Sequence, residues 1–286
     1  MSDEKTSRRD FLGRSIGSCL AAPTLLGAAP QAARTGGAAR LGWSLTLQSS
    51  TFRTLPFLDM ADLCAEMHIR FIEGWPGQPV SEDYPDLKLD LNNAEAQKLV
   101  QEKLQIHRIL FPAYGPVEVP AQEDAARRLL ENCKKLGALV IVTESTPAEM
   151  HDKLCQETGL YIAIHNSPDS WPPEKVLEAC KGRSRWIGAC ADTGSWARRG
   201  LDPVETLRKL KGRIVSLHLK DLTEDRKDAP WGAGKSDVKA QLMELKAQGF
   251  KGYISIELEG PPGKELEENV RRCAAFFTRT CDEICP

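Results

Sequence analysis

The chain has 286 residues, enough for one α/β barrel of roughly 250 residues with a short extension, and an apolar content of 41%, as in an ordinary globular protein. Its 38 Lys and Arg are interspersed with 40 Asp and Glu, leaving a net charge of −2 and no basic stripe to neutralise phosphates, which excludes nucleic acid as a partner. Beyond position 33 no stretch approaches the roughly 18 consecutive apolar residues that a membrane span requires, so stable membrane insertion is excluded as well.

At the N-terminus, Ser7-Arg8-Arg9-Asp10-Phe11-Leu12 precedes a run of small and apolar residues from Ile16 to Ala29. This pattern reads as a twin-arginine export signal over residues 1–33, with Ala28, Ala29, Ala32 and Ala33 offering cleavage sites, followed by a linker over 34–40. It implies export in folded form, to the periplasm or the cell exterior, with the twin-arginine export machinery as a partner. Of the nine cysteines, Cys19 would leave with the signal, and the other eight form no CxxC pair. They read as mostly buried small apolar residues, with a link between Cys281 and Cys285 left open.

From residue 41 onward short β-branched runs alternate with stretches of helical period. The strands are expected at Leu41 to Leu47, Ile69 to Gly74, His107 to Pro112, Leu139 to Glu144, Tyr161 to Asn166, Ile187 to Asp192, Ile214 to Lys220 and Tyr253 to Glu257. Helices are expected near 57–67, 92–104, 121–136, 147–157, 173–181, 203–210, 236–248 and 264–279. Thr146-Pro147 and Asp202-Pro203 are helix starts, while Gly137, Gly159, Gly212 and Gly249 stand where helices should stop. Consecutive βα units over 41–286, with no GxGxxG after the first strand, predict a single-domain (β/α)8 TIM barrel, with an open α/β sheet as the alternative.

Such barrels carry their chemistry at the C-terminal ends of the strands, and here those ends are polar. They are Glu73, Glu144, His165, Asp192, His218 with Lys220, and Glu257 with Glu259. Alternation turns His218 and Lys220 into the barrel and Leu219 toward the helices. Burying so many ionisable groups would cost several kcal/mol each unless a divalent cation compensated them. His165, Asp192, His218 and Glu257 are therefore the expected metal ligands, a mixed nitrogen and oxygen set that suits Zn, Mn, Co or Fe. Trp75, Trp171, Trp196 and Trp231 fall in loops after strands, where they could either face a sugar ring or pack on the helix tops. Trp196 and Trp231 are taken as substrate candidates together with Glu73, for which pairing with an arginine is the competing role.

Five sequence segments carry a family resemblance: Tyr161-Ile-Ala-Ile-His-Asn166, Ile187-Gly-Ala-Cys-Ala-Asp-Thr-Gly194, Val215-Ser-Leu-His-Leu-Lys-Asp221, Gly232-Ala-Gly-Lys-Ser-Asp237 and Gly249-Phe-Lys-Gly-Tyr-Ile-Ser-Ile-Glu257. In these the chain resembles the xylose isomerase-like TIM barrels, a group of sugar isomerases, epimerases and inosose dehydratases. The resemblance implies a metal-dependent enzyme acting on a sugar or keto-sugar, with Asp192, His218 and Glu257 on three ligand positions. His165 stands where the family usually has a glutamate, and Ser195 where it commonly has histidine. Because the family's epimerases look like they use two metal-bound glutamates, that substitution favours a single base, Glu257 or Glu144, with Lys220 steadying an enediolate oxygen. The alternatives are a lyase or dehydratase on keto-sugars or inososes, and a non-catalytic carbohydrate-binding barrel. A phosphodiesterase like endonuclease IV is excluded, since it needs more histidines than the five present and His68, His107 and His151 are expected away from the rim.

Overall fold

The computed structural model describes residues 36–167 and 170–286; the twin-arginine motif and its apolar run lie outside the described residues. Eight parallel strands close into a barrel: β1 (Trp43–Gln48), β2 (Phe71–Gly74), β3 (Leu110–Tyr114), β4 (Val140–Thr143), β5 (Tyr161–His165), β6 (Ile187–Asp192), β7 (Ile214–Leu219) and β8 (Gly252–Ile256). Each strand neighbours the next and β8 pairs with β1, with Trp43 opposite Gly252 and Leu47 opposite Ile256. The outer helices are α1 (Phe57–Glu66), α2 (Ala94–His107), α3 (Glu123–Lys135), α4 (Glu149–Thr158), α5 (Pro173–Cys180), α6 (Pro203–Lys209), α7 (Val238–Gln248) and α8 (Lys264–Ile284). The expected (β/α)8 TIM barrel is the observed fold.

Local chemistry sets the helix boundaries. Asp202 accepts hydrogen bonds from the amides of Val204 and Glu205 ahead of Pro203, so α6 starts with both a cap and a preset φ. Helix α7 starts at Asp237, whose carboxylate accepts from the Ala240 amide, and stops at Gly249 in the left-handed region. Helix α8 buries Leu266, Val270, Cys273, Phe277 and Cys281, a one-faced apolar stripe that holds it on the barrel wall.

Two apolar layers result. The large one lies between strands and helices and contains Leu47, Ile72, Phe111, Ile141, Ile162, Leu217 and Ile254. The small one fills the barrel with Ala113, Val140, Val142, Tyr161, Ala163, Cys190, Val215 and Tyr253, so the cylinder is a packed core beneath its rim.

Four departures from the sequence expectations are seen, the first two with local causes. Residues Gly37–Leu41, expected as linker and strand start, form a short helix against α8: the Gly37 amide donates to Asp282 Oδ1 at 2.6 Å and Arg40 reaches the Cys285 carbonyl. The third strand starts at Leu110, since His107 ends α2 and Arg108 takes the left-handed conformation with φ 54°. Hairpins occupy Pro79–Ser81 with Tyr84–Lys88 and Asp221–Leu222 with Asp228–Ala229. Helix α8 continues to Ile284, five residues beyond the expected end at 279. Cys64, Cys133, Cys155, Cys180, Cys190, Cys273 and Cys281 are buried free thiols, and Cys285, also free, is half-buried. No described helix is long and apolar enough to cross a membrane.

Candidate metal and active site

His165 is the last residue of β5 and Asp192 the last of β6, while His218 lies in β7 opposite Asp192 in the parallel register. Glu257 follows β8 by one residue and Glu144 follows β4 by one. Strand parity works as expected: His218 and Lys220 are buried on the barrel side, whereas Leu219 joins the layer under the helices.

His165, His218 and Glu257 each offer a ligand atom, and these atoms lie within 4.8 Å of one another, the one such group among the described residues. Nε2 of His165, Nδ1 of His218 and Oε2 of Glu257 are buried and lack a hydrogen-bond partner. They meet one another and their charged neighbours only as ion-pair contacts, His218 Nδ1 lying 3.3 Å from Glu257 Oε2, and a cation between the three would give each a direct ligand bond. Two imidazole nitrogens and one carboxylate oxygen suit Zn, Mn, Co or Fe better than Ca or Mg. The residues present therefore fit a divalent metal.

Asp192, expected as a fourth ligand, is not part of that group. Its Oδ1 accepts from the Ser195 amide at 2.9 Å and its Oδ2 from the Ser195 hydroxyl at 2.8 Å, because Asp192 caps the short helix Thr193–Arg198. Its Oδ2 stands 3.7 Å from His165 Nε2 and 3.7 Å from Lys220 Nζ, at the border of the site. Ser195, the residue standing where the family commonly has histidine, thus holds Asp192 in place.

The Lys220 ammonium lies 3.1 Å from Glu257 Oε2, 3.7 Å from Asp192, 3.9 Å from Glu259 and 4.0 Å from Asp228. Burial works against its charge, but the carboxylates of Asp192, Glu257, Asp228 and Glu259 outweigh it, so its pKa is raised and the amine stays protonated. At Glu257 burial likewise opposes ionisation and is overcome by Lys220, His218 and His165, which hold the carboxyl well below its ordinary range.

Glu73 and Glu144 take places that the sequence did not reveal. Glu73 is fully buried, its Oε1 2.8 Å from His218 Nε2, and it also accepts from Gln48 Nε2 at 3.1 Å and Ser255 Oγ at 2.7 Å. Among the described residues no arginine pairs with it, and it is closed off from solvent in this structure. Glu144 Oε1 is 3.2 Å from His165 Nδ1, and this hydrogen bond lowers its pKa.

The tryptophans also depart from a sugar-facing role. Trp231 is buried, donates from Nε1 to the Leu219 carbonyl at 3.0 Å and packs edge-on against Phe277. Trp171 is buried and donates to the Glu144 carbonyl at 2.8 Å, and Trp196 is buried within the short helix. They pack under the helix tops, the competing expectation for them, while Trp75 is half-buried. His68 and His107 stand at helix ends away from the rim, but His151 lies in the first turn of α4, which follows β4 on the rim side. It is used structurally there, since its Nδ1 accepts from the Ala148 amide at 2.9 Å and its Nε2 is 2.9 Å from the Pro120 carbonyl.

Asp221, next to Lys220, was not expected to matter. Its buried carboxylate accepts from the amides of Gly232, Gly234 and Ser236, each at 2.9 Å, and so gathers the Gly-Ala-Gly-Lys-Ser loop around itself. Two glycines in that loop and the aspartate after the strand-seven lysine are the sequence signs of it.

A search of curated proteins finds no match. Among solved structures, an uncharacterised protein from Parabacteroides distasonis is 31% identical, with 83% of this chain and 99% of that one covered and a TM-score of 0.67. A sugar phosphate isomerase/epimerase from the same organism is 15% identical, covering 86% and 96% with a TM-score of 0.62. A D-psicose 3-epimerase solved in the presence of D-fructose is 12% identical, covering 84% and 99% with a TM-score of 0.63, a likeness of fold. The family model for xylose isomerase-like TIM barrels matches residues 61–279. On that match, which takes in every strand from β2 to β8 and all three residues whose ligand atoms converge, the chain belongs to the xylose isomerase-like TIM barrel family.

Proposed function

We propose that the protein is a metal-dependent isomerase or epimerase that removes the proton α to a carbonyl of a sugar or keto-sugar. The observation that carries this reading is the convergence of three buried ligand atoms of His165, His218 and Glu257, none of them in a hydrogen bond, beside a protonated lysine. A divalent ion held by these residues would polarise a carbonyl and its neighbouring hydroxyl, lowering the barrier to ionisation at the α-carbon. Glu257, ionised because Lys220 and the two histidines offset its burial, takes the proton. Lys220, 3.1 Å from Glu257 Oε2, holds positive charge where the enediolate oxygen develops. Asp192 keeps Lys220 and His165 in register through its own hold on Ser195. The relatives named as a D-psicose 3-epimerase and a sugar phosphate isomerase/epimerase support this class of chemistry.

A second reading, elimination of water from a keto-sugar or inosose, is favoured by one feature. The converging group contains a single carboxylate, Glu257, so one base serves one face of the substrate. The twin-arginine motif supports export to the periplasm or beyond, through the twin-arginine machinery and in folded form.

The test is to incubate the metal-loaded protein in D₂O with ketoses, inososes and 3-keto-glycosides and to follow α-deuteration by NMR. Deuterium should enter at least one of these carbohydrates, stop on chelation and return with Mn, Co or Zn. Sugar binding that survives chelation, with no exchange on any compound, would show a carbohydrate-binding barrel instead.

A further inference from the structure

The two site histidines are each backed by a carboxylate, and through opposite ring nitrogens. Glu73 Oε1 lies 2.8 Å from Nε2 of His218, and Glu144 Oε1 lies 3.2 Å from Nδ1 of His165. The other two nitrogens, Nδ1 of His218 and Nε2 of His165, form no hydrogen bond and stand farther from a carboxylate, at 3.3 Å from Glu257 and 3.7 Å from Asp192, so the closer contacts to Glu73 and Glu144 decide where each proton sits. A neutral imidazole carries its proton on one nitrogen and a lone pair on the other. An ionised carboxylate only accepts, so it draws the proton to the nitrogen it faces and leaves the lone pair on the far side.

Glu73 is well built for this task. It stands on β2, reaches β7 through the barrel interior, and is fully buried. Donors from β1 and β8, Gln48 Nε2 at 3.1 Å and Ser255 Oγ at 2.7 Å, fix both of its oxygens. Glu144 is more exposed and is steadied by the Ser167 hydroxyl at 3.2 Å.

We propose that Glu73 and Glu144 are positioning residues that select the tautomers of His218 and His165, so that a divalent cation is bound by His218 through Nδ1 and by His165 through Nε2. The proposal rests on the metal-dependent reading of the site but concerns binding of the ion, not turnover. It gives both glutamates a role distinct from base or substrate contact.

The full chain, stripped of metal, is titrated with Zn and with Mn by competition against a chromogenic chelator, as wild type, Glu73→Gln, Glu144→Gln and Ser255→Ala. Each glutamate variant should bind metal roughly 10–100-fold more weakly. Ser255→Ala, which leaves both the Glu73–His218 contact and the Gln48 hydrogen bond in place, should lose clearly less affinity than Glu73→Gln. ¹⁵N NMR of the zinc-loaded protein should show His218 protonated at Nε2 and His165 protonated at Nδ1, a signature that a merely structural role would not produce. If Glu73→Gln fails to fold, Glu144→Gln and the wild-type spectrum decide. Unchanged zinc affinity in the folded glutamate variants, the opposite tautomers, or a wild-type protein that binds neither metal overturns the proposal. Metal binding that behaves as expected while no sugar exchanges deuterium would sink the catalytic reading and leave this one standing.

Discussion

Replacing Glu257 by glutamine is expected to slow α-proton exchange by about 10²–10⁴-fold, the usual worth of a positioned general base. The substitution keeps the shape of the side chain and removes its charge, so Lys220 loses its partner at 3.1 Å and His218 its neighbour at 3.3 Å. Removing one partner of a buried ion pair is often strongly destabilising because a bare charge is left behind. Here Asp192, Asp228 and Glu259 still stand within 4.0 Å of the ammonium, so the variant should fold and its circular dichroism should match that of the wild type. Metal affinity should fall as well, since an anionic ligand becomes neutral. Exchange measured at saturating metal separates the two effects. A rate within tenfold of wild type under that condition would remove Glu257 from the role of base.

The largest effect on stability is expected at Asp221. In Asp221→Ala the amides of Gly232, Gly234 and Ser236 lose their shared acceptor. These amides sit on exposed or half-buried residues, so water replaces part of what is lost; three hydrogen bonds to a charged acceptor should still be worth about 3 kcal/mol together. For a domain of this size that lowers Tm by roughly 6–12 °C. Asp221→Asn keeps one accepting oxygen and should lose less. Gly234→Ala should act in the same direction as the alanine variant, because an added Cβ would run into the Asp221 carboxylate and the Leu222 carbonyl. Thermal melts of the three proteins give the order directly; an Asp221→Ala melt within 2 °C of wild type would show that the loop does not depend on the carboxylate.

The legible part of the sequence was whatever a local period or a turn residue encodes. The sixth strand, Ile187–Asp192, agrees at both ends, because an apolar run is bounded there by a polar residue that caps the next helix. The third strand was misplaced by three residues at its start: His107 and Arg108 sit in a helix end whose left-handed cap is an arginine and not a glycine. Parity alone could turn His218 and Lys220 inward. It could not show that Glu73 reaches His218, since that contact joins strands 145 residues apart and depends on which side chains face each other inside a closed cylinder. The same reason hid Gln48 and Ser255, whose polar groups serve Glu73. Trp231 stands in a loop after a strand, as expected, yet its ring is turned inward by Phe277 on α8, which the local sequence cannot show.

The short helix Gly37–Leu41 joins the first described turn of the chain to its last one, through Gly37 with Asp282 and Arg40 with Cys285, on the side of the barrel remote from the metal ligands. Beginning and end of the described polypeptide are therefore neighbours, and a few flexible residues could stitch them into a ring. New ends opened at the exposed turn around Gly137, which also faces away from the rim, should then yield a permuted protein that keeps its site, with anchoring tags pointing clear of the substrate mouth.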